Sequence, residues 1–384
     1  MDNIIEISGK FAKAKVFTDI IDEEAFKLIT NFLNHPASKG QKIRVMPDVH
    51  AAKGVVVGFT STLNEEYIIP NVIGADIGCG VIGINIGKHL PELKEIDDFI
   101  KESIKTKTNG SNNLNSLRKQ LPKDFIKEIK KVARNIGTSE GEFLEIIGTL
   151  GSGNHFIEID ESMGTGDYWL VIHTGSRSFG LKVATYYQKM AEKEYDESRG
   201  KKGEYKFFKD LAYLKERARE AYIRDMEVAQ RYASMNRRLI LDAIIKEFRL
   251  EKKEVVESIH NYIDFEYKIV RKGAISAQKG ERVIIPMNMV WGIVIGEGKG
   301  NPDWNFSAPH GAGRIMTRRE AKERLNVEDF RKKMEKSGVY STSIDDTTID
   351  EAPDVYKNPE IVVEYLKATV DIKERLKPVY NFKE

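Results

Sequence analysis

The chain has 384 residues and near-balanced charge, 61 Lys and Arg against 59 Asp and Glu, so it is no uniformly basic coat for nucleic acid, although a local basic groove is permitted. Hydrophobic residues at 41% and charged residues at 31% describe a globular chain long enough for two or three domains or one elaborated domain. No apolar run approaches the roughly 20 residues that cross a bilayer, and the opening MDNIIEISGK lacks a basic and then apolar leader, so the expected location is the cytoplasm.

In chain order, the pattern predicts strands at IIEISG (4–9), AKVFT (14–18), KIRVM (42–46), GVVVGFT (54–60), EYIIP (66–70) and VIGINIG (81–87), with one amphipathic helix at 22–34. Residues 91–147 read as helices, with a polar loop at 106–116. Strands follow at 155–160 and 168–173. The charge density and 3.6-residue period around LAYLKERAREAYIRDMEVAQRYASMNRRLILDAIIKEF then predict an inserted block of long helices over about 181–259. Strands return at 262–270, 281–286 and 289–296, short helices at 315–335 and 358–369, and a last strand near LKPVYNF. Strands bracketing a helical block predict an α+β fold, a single elaborated domain with a central β-sheet core.

Cys79 is the only cysteine, so no internal disulfide exists and the thiol is an inert core group, a nucleophile or a metal ligand. Of the seven histidines, His155, His173 and His310 stand where polar or glycine-rich sequence meets an apolar segment: LGSGNHFIEI, WLVIHTGSRSFG and SAPHGAGR. Any one of them is more often a satisfied structural residue. Taken together, Cys79, Asp76, His155, His173 and His260 supply a thiolate, a carboxylate and three imidazoles, a set suited to Mn, Fe, Co or Zn. A thiolate bridging two ions would explain why one cysteine suffices. His35 and His89 lack such context and read as surface residues.

The segments MPDVHAAKG (46–54), NVIGADIGCG (71–80), GTLGSGNHFIEI (148–159), VIHTGSRSFG (171–180), ASMNRR (233–238), IHNYIDFE (259–266), VRKGAISAQKGE (270–281) and SAPHGAGR (307–314) together resemble the RtcB family of RNA ligases. The ending KPVYNFKE resembles that family's lysine-bearing terminus. The resemblance implies an enzyme that joins RNA 2′,3′-cyclic phosphate or 3′-phosphate ends to 5′-hydroxyl ends with GTP and two Mn²⁺, in tRNA splicing or RNA repair. It implies Asp76, Cys79 and His155 as ligands of one ion, and Cys79, His173 and His260 as ligands of the second. His310 is implied as the nucleophile that becomes a covalent histidine-guanylate.

For the guanylate, the resemblance points to Asn154, His155, Phe156, Ile157 and Glu158, to His260 and Asn261, and to Lys383. Pro286, Met287, Asn288 and Met289 occupy the family's nucleotide loop, and Gly311, Ala312 and Gly313 follow the nucleophile. PMNMVWGIVI (286–295) departs from the family's proline-glycine-serine-methionine start, so Met287, Asn288 and Trp291 are expected to alter the guanine pocket. Pro309 replaces the small polar residue often found before the nucleophile. Lys53, Arg177, Arg237, Arg238, Arg271 and Lys272 are candidate RNA contacts, and Arg314 a phosphate partner, each weighed against an ordinary surface charge or local ion pair. Two other functions share these residues: a metal-dependent RNA-end phosphodiesterase or phosphatase, and a non-catalytic RNA-end-binding module.

Overall fold

A computed structural model describes residues 4–104, 112–199 and 209–384. The chain begins with β1 (Ile5–Ser8), β2 (Lys13–Val16), α1 (Glu23–Leu33), β3 (Ile43–His50), β4 (Val57–Thr62), β5 (Tyr67–Ile68), α2 (Pro70–Ile73) and β6 (Gly80–Gly87). The Asp22 side chain accepts from the Ala25 amide and caps α1, whose Ala25, Ile29, Phe32 and Leu33 form the buried stripe. Helices α3 (Leu93–Ser103), α4 (Asn112–Arg118), α5 (Lys123–Asn135) and α6 (Glu140–Ile146) come next, then β7 (Phe156–Ser162) and β8 (Tyr168–Thr174). The helical block is α7 (Arg177–Arg199) and α8 (Glu216–Phe248), with a short β9 (Leu214–Lys215) between them.

After α8 come β10 (Val255–Ile259), β11 (Asn261–Asp264), β12 (Ile269–Lys272), β13 (Ala274–Ser276), β14 (Arg282–Asn288), β15 (Gly292–Gly298) and β16 (Ser307–Pro309). Helices α9 (Arg318–Arg324), α10 (Val327–Ser337) and α11 (Pro359–Leu366) precede the long β17 (Val370–Phe382). No described helix is long and apolar enough to cross a membrane.

The α+β class stands, with two large sheets at its centre. One sheet has the order β1-β2-β3-β4-β12-β11, and the other the order β10-β6-β8-β7-β17-β15-β14. Among the described strands only the β2–β3 pair is parallel; the strand pairs of the second sheet are all antiparallel. Helix α8 packs on β6 and β8, burying Ile240 and Ile244 with Ile82, Leu170 and Ile172 of those strands.

Several sequence expectations shift. The helical block runs from 177 to 248, not from 181 to 259, because β10 occupies the end of that span as an edge partner of β6. The loop expected at 106–116 is helical from Asn112, while 105–111 lie outside the described residues. The strand expected at 262–270 is a hairpin, β11 against β12, turned by residues 265–268. His35 is not a surface residue but is 3% exposed, and its Nδ1 accepts from the Ala37 amide to cap a short 3-10 turn. His89 is exposed.

Candidate active site

The antiparallel order of the second sheet gathers residues distant in sequence. Cys79 precedes β6, His155 precedes β7, His173 lies near the end of β8 and His260 follows β10. Because these strands alternate in direction, all four positions fall at one end of the sheet. Register fixes the match: His173 stands opposite both Val81 and Phe156, while Gly80 pairs with Ile259. The His260 amide donates to Cys79 O at 2.9 Å, tying the two loops together. Asp76 reaches the same point from the preceding turn, and Gly175 makes room for it, since a Cβ there would lie 2.0 Å from Asp76 Oδ1.

Cys79 Sγ stands 3.5 Å from His155 Nε2 and 3.3 Å from His173 Nε2. His173 Nε2 is 3.4 Å from His260 Nε2, and His155 Nε2 is 3.0 Å from Asp76 Oδ2. These contacts make two groups that share the thiol, Asp76–Cys79–His155 and Cys79–His173–His260, each with its donor atoms within 4.8 Å of one another. Donors held at about 2.0–2.3 Å from one ion stand about 3–3.7 Å apart, so the spacing fits coordination.

The chemistry of the donors fits too. Burial holds His173 and His260 far below the ordinary histidine pKa, which leaves them neutral, the form that binds metal. His155 Nδ1 lies 3.1 Å from Leu150 O and donates to it, so Nε2 is the atom turned toward Cys79 and Asp76, and a bound ion would replace the hydrogen that Nε2 shares with Asp76 Oδ2. Burial, with Asp76 beside it, pushes the Cys79 thiol up, and a bound cation would reverse that by favouring the thiolate. Burial opposes the Asp76 carboxylate, yet the His155 hydrogen bond and charge hold its pKa at about 2. Nδ1 of His173 and of His260 are buried without a hydrogen-bond partner among the described residues.

Beside this cluster opens a cleft of about 1200 Å³, large enough for a nucleotide with a further chain end. His310, at the end of β16, lines it, and its ring centroid is 4.8 Å from that of His260. Asp48 on β3 is fully buried, and its Oδ2 accepts from His310 Nδ1 at 2.6 Å and from the His310 amide at 3.1 Å. In the neutral ring the proton therefore sits on Nδ1 and Nε2 is bare. Gly313, with φ of 72°, closes the turn against Asp48, where a Cβ would lie 2.5 Å from the Asp48 carbonyl oxygen.

Of the expected guanylate contacts, Asn154, Phe156, Glu158, Lys383 and the segments 286–289 and 311–313 all line the cleft. Ile157 is corrected: it alternates to the other face of β7 and is buried in the core with Ile82 and Leu170. Asn261 is off the cleft lining and anchors the Asp76 turn through Nδ2 to Asp76 O. Trp291 lies outside it as well, under Arg375 at 3.7 Å and bonded to Glu360. Glu158 and Asp160 share one face of β7, and burial raises Glu158 to about 7 and Asp160 above its ordinary range. Lys383 Nζ is 3.5 Å from Glu351 and lies over the Phe156 ring.

The basic residues separate by burial. Arg237 is fully buried, donating to the carbonyls of Gly78 and Thr174 and paired with Glu257. Arg271 is equally buried, held by Tyr262, Asp264 and Ser307. Lys272 donates to the carbonyls of Lys53, Val55 and Asn71. These three cations build the protein interior and do not form a groove for RNA. Arg314 lines the cleft, but its guanidinium is engaged by Glu351 and by the carbonyls of Asp350 and Met316. Arg177 is part-buried against Thr149, while Arg238 and Lys53 are exposed.

Sequence reasoning quoted MPDVH but gave Asp48 and His50 no role. The expected strand stops at Met46, and it is the extension of β3 to His50 that puts Asp48 and His50, at i and i+2, on one face. Glu351, which gathers Arg314, Arg318, Lys383 and Tyr356, had no comparable sequence signal.

An α+β chain that sets a shared-thiol cluster able to hold metal beside a histidine in a nucleotide-sized cleft has the makings of a metal-assisted group-transfer enzyme. Comparison with known proteins makes the class specific. A family model described as tRNA-splicing ligase RtcB matches residues 29–143 and 137–384. The chain is similar to the RNA-splicing ligase RtcB of Escherichia coli K12, with 31% identity over 373 residues and 88% of each protein covered. It is also similar to the tRNA-splicing ligases RtcB of Pyrobaculum aerophilum, 28% identical with 83% of this chain and 82% of that protein covered, and of Archaeoglobus fulgidus, 24% identical with 94% and 90% covered. The chain belongs to the RtcB family of RNA-splicing ligases.

Proposed function

We propose that this chain, acting as one catalytic unit, is a GTP- and Mn²⁺-dependent RNA ligase that joins 3′-phosphate or 2′,3′-cyclic phosphate ends to 5′-hydroxyl ends in tRNA splicing or RNA repair. In the first step His310 Nε2 attacks the α-phosphorus of GTP; an N–P bond forms, the bond to the bridging oxygen breaks and pyrophosphate leaves. A 2′,3′-cyclic end is first opened by water, which bonds to phosphorus as the P–O2′ bond breaks and the 2′-hydroxyl is released; an RNA 3′-phosphate oxygen next attacks the guanylate phosphorus and breaks the N–P bond, and the 5′-hydroxyl then displaces GMP to seal the strand. The observation that carries this reading is the setting of His310: Asp48 fixes the proton on Nδ1, and the ring lies against His260 of the metal cluster.

Asp76, Cys79, His155, His173 and His260 would hold two Mn²⁺, which when bound neutralise charge on the reacting phosphates. Lys383, Phe156 and Glu158, together on one wall of the cleft, are suited to seating a purine. Incubation with Mn²⁺ and GTP labelled at the α-phosphate should give an acid-labile, hydroxylamine-resistant protein adduct that His310→Ala lacks. No adduct on the wild type, or an undiminished one on the variant, would exclude this mechanism.

A further inference from the structure

The sealing step requires something to receive the proton of the attacking 5′-hydroxyl, and the cleft offers few groups able to do so. His310 has just released the guanylate, so its Nε2 is the competing acceptor. His173 belongs to the metal cluster. Glu158 is held by Asn381, and Glu351 is surrounded by Arg314, Arg318 and Lys383. Asp22 caps α1, Glu23 and Glu24 stand exposed in the first turn of that helix, and Glu320 is held by the Thr317 amide and hydroxyl in the cap of α9.

His50 is different. It ends β3 two residues beyond Asp48 and lines the same cleft as His310. Its Nδ1 lies 2.9 Å from Asp48 O; since a carbonyl only accepts, Nδ1 must carry a proton. Lys357 Nζ binds the flanking carbonyls of Pro47 and Val49, so the segment that aims the ring is pinned on three successive carbonyls. Burial, ahead of the neighbouring His310, keeps His50 at a pKa of about 4. The ring is then neutral at working pH, and its remaining atom, Nε2, is a bare lone pair with no hydrogen-bond partner among the described residues. Such a nitrogen repels phosphate oxygens and accepts from O–H. Asp48 thus orients two imidazoles at once, His310 through its carboxylate and His50 through its carbonyl.

We propose that His50 is a catalytic residue of the sealing step, its Nε2 taking the proton of the RNA 5′-hydroxyl as that oxygen bonds to the 3′-phosphorus and GMP departs with the electron pair of the broken P–O bond. The assignment rests on the ligase reading above. The phosphates of a bound RNA end favour the charged ring, which moves a weak base toward useful strength as the substrate arrives.

The test separates the steps. His50→Ala removes the ring. His50→Asn keeps a donor for Asp48 O but has nothing in place of Nε2, so a folded protein with its local bond intact is still examined. Each variant is assayed with Mn²⁺ for histidine-guanylate formation and, separately, for joining a purified RNA already carrying a 3′-diphosphate-linked guanosine to a 5′-hydroxyl strand. Adduct formation within about twofold of wild type, with joining reduced about 10²- to 10⁴-fold, is expected. Joining within about tenfold of wild type in His50→Asn, or adduct formation that falls in parallel with joining, overturns the assignment. Loss of joining of the pre-activated RNA by His310→Ala, with His50→Asn unimpaired, would assign the proton to His310 Nε2 and overturn His50. Failure of the wild type to form any adduct would instead overturn the ligase reading on which it rests.

Discussion

Replacing Asp48 tests the setting of His310 most directly, because the structure decides which way an amide would sit there. Oδ2 of Asp48 accepts from both the backbone amide and Nδ1 of His310. In Asp48→Asn the amide oxygen must take that position, since the NH₂ group would oppose the His310 N–H. The tautomer is therefore kept and only the negative charge is lost. A charge-assisted hydrogen bond contributes about 1.5–3 kcal/mol and a neutral one about 0.5–1.5 kcal/mol, a difference of about 1–1.5 kcal/mol. Because the ring acquires positive charge as Nε2 attacks phosphorus, that difference is felt in the transition state and corresponds to a rate reduced about 5- to 13-fold. Asp48→Ala loses the whole interaction and frees the ring to place its proton on Nε2, so its rate should fall about 100-fold or more. The assay is the single-turnover rate of histidine-guanylate formation at saturating GTP and Mn²⁺, with thermal unfolding as the folding control. Wild-type speed in the Asn variant, or an Asn variant slower than the Ala variant, would refute the reasoning.

Cys79→Ala removes the donor common to both metal groups; equilibrium dialysis should find two Mn²⁺ per wild-type chain and fewer than one on the variant. Saturating Mn²⁺ at 100 times its dissociation constant should stabilise the wild type by about 2.7 kcal/mol for each ion, about 5.4 kcal/mol for two, and the rise in melting temperature should be lost with the thiol. Arg237→Ala leaves Glu257 without its fully buried partner and should cost about 3–5 kcal/mol in urea unfolding, whereas Arg238→Ala, at an exposed position, should fall within about 0.5 kcal/mol. His35 is held neutral by burial, its pKa lowered from 6.5 to about 4. The unfolded chain therefore binds a proton the folded chain refuses, and this contribution to stability, present above pH 6.5, is lost as pH falls toward 4. It amounts to at most about 3 kcal/mol, and His35→Asn, which can still accept from the Ala37 amide, should show a shallower acid limb.

The candidate metal cluster was legible in part: donor chemistry and glycine-rich segments at strand ends pointed to Asp76, Cys79, His155 and His173, while the grouping of ligands and the place of His260 rested on the resemblance to the RtcB family. Asp48 and His50 were visible as residues but not as partners of His310, because that relation exists only where β3 meets the turn after β16. Arg237, Arg271 and Lys272 were read as candidate RNA contacts because charge is written in the sequence and burial is not. Their compensating groups, Glu257, Asp264 and a trio of backbone carbonyls, come together only in the fold. Ile157 illustrates the opposite limit: a motif names a position, while strand alternation decides whether its side chain faces ligand or core.

Strand β17 is hydrogen-bonded on one side to β7, whose Glu158 pairs with Asn381, and on the other to β15. It is an interior strand of its sheet, so trimming it by a protease would do more than fray an end. Removing it would split one sheet into two and uncover two long rows of unpaired amides and carbonyls on β7 and β15, each able to recruit a strand from another molecule. Damage to this segment should therefore appear first as aggregation, and a tag or fusion placed after it must leave the pairing from Val370 to Phe382 undisturbed.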